Sequence, residues 1–532
     1  MKKRFTKILT LAMSSIMAVG TLFGCATEQT GRIVSATLPE GYFFPEYTIE
    51  QSGKTYETFA YGASRNPYLT FDGEQREFVD TTSVEYMQTY KDAGFTVYFS
   101  TFSESADIMS VLDNAEKVGL KVLVTDFWIL DAVGTDGKLV DENNDGTKSR
   151  DYRTKEELQE AVRVQIEEWC SHPAFFGLNM RDEPIIDFHE DYGDLYKAIR
   201  AIEPTLKKAD GTFYKPGELY LHVNMLPLGI NVGTSYYKEY ETLGEAYDKY
   251  VRNMFEVSGA DRLSVDIYEF RRDGVFPGFF PTMQMFANAC RDYKAGFTYV
   301  QQSFNTFSGT TESYGRVTRA EMMSETYTAI GLGATHLSYY TYTPYAEQSV
   351  AGTHTIHHFL DFEGKPTNVY YYGQAAMKEA RFLADYVFNF DYQGCNFVTN
   401  PDPDSMTFGI GAYLTSRGDS VTGTSAQFDR TYEFEKIKNE DIVIDNDILL
   451  VSELKDSKND LYMYMFQNVL NPSDEKIGRV DVNVSVDFGT EYDWVAEIGG
   501  GMVNYVKLDK GVYTASLGAG YANFVVPLAK AN

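Results

Sequence analysis

The sequence predicts an α/β fold: a (β/α)8 TIM barrel followed by a C-terminal antiparallel β-sandwich. Three observations predict it. Eight short β-rich runs alternate with amphipathic helical stretches from about Tyr56. Helical periodicity stops after Asp385. Beyond it, apolar and polar residues alternate at period two between turns rich in Gly, Asn and Asp. Strands alternating with helices imply parallel strands joined by right-handed crossovers, and eight such units close into a barrel. A chain of 532 residues exceeds one ordinary core, and a barrel plus a smaller domain accounts for it.

Along the chain, the first element is a charged leader. Lys2, Lys3, Arg4 and Lys7 form a basic region, and an apolar run extends from Ile8 to Phe23. It is too short to span a membrane comfortably and reads as an export signal over residues 1–24. The run ends in Leu22-Phe23-Gly24-Cys25, which resembles the lipobox of bacterial lipoproteins. That resemblance implies a lipid on Cys25 and a location outside the cytoplasm, anchored to the membrane or cell surface. Residues 25–50 read as a polar tether, 51–390 as the barrel and 391–532 as the sandwich.

The eight runs are Tyr56–Ala60, Phe95–Ser100, Lys121–Thr125, Phe175–Met180, Leu219–Val223, Arg262–Ile267, Gly296–Val300 and Thr335–Tyr340. Helical stretches such as SVEYMQTYKDAG and ADIMSVLDNAEKVG each end at a glycine, which adopts the left-handed cap conformation cheaply. No Gly-rich phosphate loop comes after the first run, which disfavours an open doubly wound sheet.

Charge narrows the partners. The formal net charge is −29, and loss of residues 1–24 would remove four basic residues and no acidic one. Such a chain repels nucleic acid and anionic headgroups, so a neutral substrate fits better than a polyanionic one. Cys170, Cys290 and Cys395 have no metal-like spacing and read as buried small hydrophobes.

In a parallel barrel the strand C-termini form the active face, so the residues just after each run matter most. Asp126 and Trp128 come after the third run, Asp182 and Glu183 after the fourth, and Asn224 after the fifth. Asp266, Tyr268 and Glu269 stand at the sixth, Gln301 and Gln302 at the seventh, and Tyr340 and Tyr342 at the eighth. Carboxylates, amides and aromatic rings at one mouth suit carbohydrate: acids and amides bind hydroxyls, and rings stack on sugar faces.

The segment HPAFFGLNMRDEP resembles the fourth strand of clan A glycoside hydrolases, and LSVDIYEF and HLSYYTY resemble their sixth and eighth. The resemblance covers about residues 50–385. It implies that Glu183 is the general acid/base, with Asp182 standing where that clan has Asn. The clan's nucleophilic glutamate belongs at the seventh strand end, where this sequence has TYVQQSF. Glycoside cleavage needs a proton for the leaving oxygen and a second carboxylate as nucleophile or base. Asp182 can raise the Glu183 pKa by like-charge repulsion. The second carboxylate is Asp266 or Glu269, or Asp126. Asn224, Tyr268, Gln302, Tyr340 and Tyr342, with Asp126 and Trp128, are the expected substrate contacts.

The expected activity is hydrolysis of O-glycosidic bonds in a neutral poly- or oligosaccharide without an organic cofactor. The rival is a glycan-binding lipoprotein that lacks catalysis, favoured by Gln301-Gln302. In DENNDG, Asp141, Asn143 and Asp145 alternate before a glycine, the first half of a calcium loop without its bidentate glutamate. A structural Ca2+ there competes with a plain polar turn.

Overall fold

The computed structural model describes residues 32–52, 54, 57–62, 68–71, 74–77, 79–100, 108–126, 154–228, 243–271, 274–276, 278–308, 311–315, 317–344, 353–356, 358–361, 363–399, 428–445, 448–470 and 481–531. The expected export signal, Cys25, Trp128 and the Asp141-Asn143-Asp145 loop lie outside these residues.

Strands and helices alternate eight times. In chain order they are β1 (Glu57–Ala60), α1 (Val84–Asp92), β2 (Val97–Ser100), α2 (Ile108–Val118), β3 (Lys121–Val124), α3 (Lys155–Cys170), β4 (Phe175–Asp182) and α4 (His189–Ile202). The second half is β5 (Tyr220–Met225), α5 (Leu243–Ser258), β6 (Arg262–Asp266), α6 (Phe279–Asp292), β7 (Gly296–Gln302), α7 (Arg319–Gly331), β8 (His336–Tyr340) and α8 (Asn368–Val387). Each strand lies within one of the eight expected runs or extends past its end by two residues at most.

All eight strands form one parallel sheet in the order β1-β8-β7-β6-β5-β4-β3-β2. The sheet closes on itself through Thr58 and Thr96. The Thr58 amide donates to Thr96 Oγ1 at 2.9 Å, and the Thr96 amide donates to the Thr58 carbonyl at 3.0 Å.

Local chemistry sets the helix ends. Ser83 caps α1 by accepting from the Tyr86 amide at 3.2 Å, and Thr154 and Thr318 form capping boxes with Glu157 and Glu321. Gly94, with φ +111°, ends α1 where an L side chain would be strained. The barrel interior is packed by Phe59, Tyr61, Val97, Phe99, Leu123, Tyr220 and Val300, against Phe176 and Tyr340. Burying a ring of this size contributes about 1.5–3 kcal/mol. The lower and middle barrel is therefore a packed core.

The C-terminal part comprises β9 (Asp391–Thr399), β10 (Ile442–Ile444), β11 (Ile448–Asp456), β12 (Leu461–Asn468), β13 (Val482–Asp487), β14 (Trp494–Gly499), β15 (Met502–Lys507), β16 (Val512–Leu517) and β17 (Ala522–Pro527). A large antiparallel sheet and a three-stranded one, β10-β13-β16, make the sandwich. Val451, Tyr464, Val484 and Tyr513 pack in one core between them. The other face of the large sheet packs on the barrel, so β12 is buried along its whole length. Gln467 of β12 donates to the Ser324 carbonyl at 3.0 Å and accepts from Thr328 Oγ1 at 2.9 Å.

The N-terminal lead-in differs from the expected tether. A two-residue strand, Val34–Ser35, adds to the free edge of β15. The Tyr42 hydroxyl donates to Asp493 at 2.7 Å, Tyr47 donates to Asp456 at 2.7 Å, and Arg32 pairs with Glu497. The segment straps onto the sandwich and covers one of its edges. The three described cysteines are free and buried. No helix among the described residues is long and apolar enough to cross a membrane.

Candidate active site

The mouth is built at the C-terminal ends of the strands. On β4 the pairing with β5 passes from Asn179–His222 to Arg181–Val223 and then Asp182–Asn224. Met180 is thus an extra residue, a β-bulge. In an unbroken strand Arg181 would share a face with Asn179; the bulge brings Asp182 to that face instead. Gly177 lets β4 and β5 approach closely, since a Cβ there would lie 1.9 Å from the Tyr220 carbonyl oxygen.

Asp182 and Asp266 are joined by one amide. Asn224 Nδ2 donates to Asp182 Oδ1 at 3.0 Å and to Asp266 Oδ1 at 2.9 Å. Ser264 Oγ donates to Asn224 Oδ1 at 3.0 Å and fixes which way the amide points. The second Asp266 oxygen accepts from the Tyr268 hydroxyl at 3.1 Å. Two oxygens sharing one nitrogen donor lie at most about 6 Å apart, twice a hydrogen-bond length.

Glu183 adopts φ +50°, a left-handed conformation uncommon for a residue with a side chain. Its amide donates to the Asn224 carbonyl at 2.8 Å, which holds the strained position. Burial, and then the charge of Asp182, push the Glu183 carboxyl up to about 7. Burial also holds Asp266 well above the usual carboxylate range, reinforced by the charges of Glu183 and Asp182. Asp182 is open to solvent yet crowded by protein atoms; this crowding raises its pKa, against the Asn224 bond and the Arg181 charge.

Aromatic residues complete the wall. Tyr340 is half-buried, with ring centroids 5.7 Å from Tyr268 and 6.1 Å from Tyr61. Tyr61 comes directly after β1, and its hydroxyl lies 2.7 Å from His222 Nε2. Burial holds His222 neutral, with its pKa lowered to about 3. Sequence reasoning missed Tyr61 and His222. The residue directly after the first run was the signal for Tyr61, and an inward polar residue within the fifth run was the signal for His222.

The structure brings Asp182, Glu183, Asn224, Asp266, Tyr268 and Tyr340 together. Asp126 is half-buried after β3 and is tied to α3, where Gln165 Nε2 donates to it at 3.3 Å. Three expectations are corrected. Glu269 is 1% exposed and faces Glu321 and Glu325 of α7, so it cannot serve as the second carboxylate in the mouth. Gln302 is fully buried with its amide spent on backbone: it accepts from the Phe270 amide at 2.9 Å and donates to the Phe270, Phe304 and Gly315 carbonyls. Tyr342 is fully buried in the helix layer, 4.8 Å from the Tyr90 ring, and offers no face to a sugar. Gln301 is buried too and accepts from Thr326 of α7. Two surface cavities, of about 370 and 240 Å3, lie elsewhere, one at Asn288, Arg291 and Asp429 and the other at Pro366 and Tyr371.

No protein-family model and no curated protein matches the chain. Among solved structures it is similar to a glycoside hydrolase, with 10% identity over 94% of this chain and 97% of that one and a TM-score of 0.45. It is similar to a family 39 glycoside hydrolase from the gut symbiont Bacteroides cellulosilyticus WH2, with 11% identity over 91% and 81% and a TM-score of 0.41. It is also similar to a beta-galactosidase from the psychrophilic Marinomonas ef1, with 12% identity over 59% of this chain and a TM-score of 0.36. The chain spans 60% of that protein's length.

Proposed function

We propose that the chain is a glycoside hydrolase acting on a poly- or oligosaccharide without acidic groups. One observation carries this reading: Glu183, with its carboxyl raised to about 7, shares a strand-end mouth with the buried Asp266. Two carboxyl groups in unlike environments are what proton donation and base or nucleophile chemistry need from a glycosidase site. Glu183 is the general acid, Asp266 the second carboxylate, and Asp182 the neighbour that keeps Glu183 protonated. Tyr340 and Tyr268 offer rings to the sugar. The absence of a carboxylate at the seventh strand end favours a second reading, a glycan-binding protein without catalysis. The lipobox resemblance extends either reading to an extracytoplasmic protein lipidated at Cys25.

The test is release of reducing sugar from a panel of plant, fungal and host glycans by the wild type and by Glu183→Gln. Release that the variant loses supports the hydrolase. Equal binding by both proteins with no release from any glycan supports the binder.

A further inference from the structure

Among the described residues, the mouth presents more hydrogen-bond acceptors than donors. Asp182 and Asp266 each bring two carboxylate oxygens, while protonated Glu183 brings one carbonyl oxygen and one O–H donor. Among the described residues, Asn224 Nδ2 and the Tyr268 hydroxyl are the donors that meet Asp182 and Asp266. Below them Asn179 is 2% exposed, and its Oδ1 is buried without a partner. Its place opposite His222, two residues before Asn224 on β5, puts it on the inward face of β4 beneath Asp182. Its Nδ2 donates to Thr125 Oγ1 at 3.4 Å, which leaves the oxygen as the free end. An uncompensated buried acceptor costs free energy, and so do two carboxylates crowded onto one amide.

Among the described residues, Arg181 offsets part of the Asp182 charge only. Neither Glu183 nor Asp266 forms an ion pair with a described lysine or arginine, and the Arg181 guanidinium lies over the Tyr192 ring at 5.8 Å. A metal ion fits poorly as well. Among the described residues, no three carboxylates of this mouth bring oxygens within 4.8 Å of one another. A ligand that fills such a site must donate several hydrogens and carry positive charge.

We propose that the mouth binds a sugar carrying a protonated amine, with the ammonium group seated among Asp182, Asp266 and Asn179 Oδ1. A sugar hydroxyl donates one hydrogen and brings two lone pairs into a site already rich in them. An ammonium donates three, accepts none and offsets the carboxylate charge. The half-buried Tyr268 and Tyr340 add ring faces that attract a cation. The inference rests on the glycosidase reading of the same mouth and narrows its substrate: the chain's net charge disfavours anions, and the acceptor surplus selects an amino sugar over a neutral one.

The test is calorimetric binding to the full chain. The probes are β-1,4-linked tetramers of glucosamine, N-acetylglucosamine and glucose, the α- and β-methyl glycosides of the same sugars, and pentalysine. The expected result is glucosamine ligands binding at least about tenfold tighter than both neutral series, the weight of one charge-assisted hydrogen bond. Asp182→Asn, Asp266→Asn and Asn179→Leu each cut that preference, and pentalysine does not compete. A variant that fails to fold, read from its melting curve, leaves the other two to decide. Equal binding of amine and neutral sugars, competition by pentalysine, or no binding of any probe overturns the proposal. Sugar release from neutral glycans alongside any of these leaves the hydrolase standing. Selective amine binding with no release from any glycan, amine-bearing ones included, upholds this inference and overturns the hydrolase instead.

Discussion

Asp182 and Asp266 stand on strands two apart and share the two hydrogens of one amide, that of Asn224 on the strand between them. Each carboxylate is thereby aimed into the mouth by the same side chain, and Ser264 fixes the amide's orientation from behind. Replacing Asn224 with Ala removes both donors at once and leaves two acidic groups to turn freely. The expected outcome is a loss of kcat/KM of about 100-fold, the weight of one preorganised donor. The midpoint of unfolding should also fall, because buried Asp266 and Ser264 lose a partner. Steady-state kinetics and a melting curve measure the two effects separately.

On the proposed reading, Glu183 sets the pH dependence. A general acid must carry its proton, and the Glu183 carboxyl is raised to about 7. Activity should fall as pH rises through about 7. A fall on the acid side would report the ionised second carboxylate, the role proposed for Asp266. Glu183→Gln should cost roughly 100- to 10,000-fold, the usual weight of general acid catalysis, and flatten the basic limb. A pH–rate profile of both proteins checks this.

The same group sets a stability trend. Its pKa in the folded protein lies above the unfolded value, so the native state holds the proton more tightly. The resulting stability is fully present below the unfolded pKa of about 4.3 and is lost as pH rises through about 7. Glu183→Gln removes that loss. At pH 8 it should be more stable than the wild type by about 2 kcal/mol, allowing for partial exposure of the side chain. At pH 4 the two should match. Denaturant unfolding at both pH values measures the difference.

The barrel was legible in the sequence because each strand is a short apolar run closed by a turn signal, and four of its helices have a side-chain cap the sequence spells out, such as Thr154 with Glu157. The acids at the mouth were legible because the residues after a parallel strand face the active side. What the sequence concealed is orientation. One bulge at Met180 decides that Asp182 faces Asn224, and no composition signal marks it. Tyr342 stands two residues after Tyr340, yet the chain has left the strand there and the ring turns into the helix layer. The strap at Val34–Ser35 is two residues long, too short for any period to register.

Tyr342 and Tyr340 therefore separate by mutation. The Tyr342 hydroxyl is buried without a partner, so Tyr342→Phe should leave KM unchanged and hold or raise stability by up to about 1 kcal/mol. Tyr342→Ala should cost about 3–5 kcal/mol by opening a cavity. Tyr340→Ala should act mainly on KM, because that ring borders the mouth.

Gln302 gives the sharpest contrast with the glycosidase pattern the sequence resembles. That pattern places a nucleophilic glutamate at the seventh strand end, which suggests that Gln302→Glu would restore a missing catalyst. The structure argues otherwise. Gln302 Nε2 lies 3.2 Å from the Phe270 carbonyl, 3.1 Å from that of Phe304 and 3.3 Å from that of Gly315. A carboxylate oxygen there would face three acceptors in a buried site. The Glu325 carboxyl, which accepts from the Gln302 backbone N–H at 3.1 Å, would add a further buried acid beside it. Gln302→Glu should therefore destabilise the fold by about 2–4 kcal/mol near pH 7 and recover part of that at low pH, where the new carboxyl is protonated and can donate one bond. It should not raise glycan cleavage. A gain in kcat at unchanged stability would place the side chain in the mouth and reverse this account of the seventh strand.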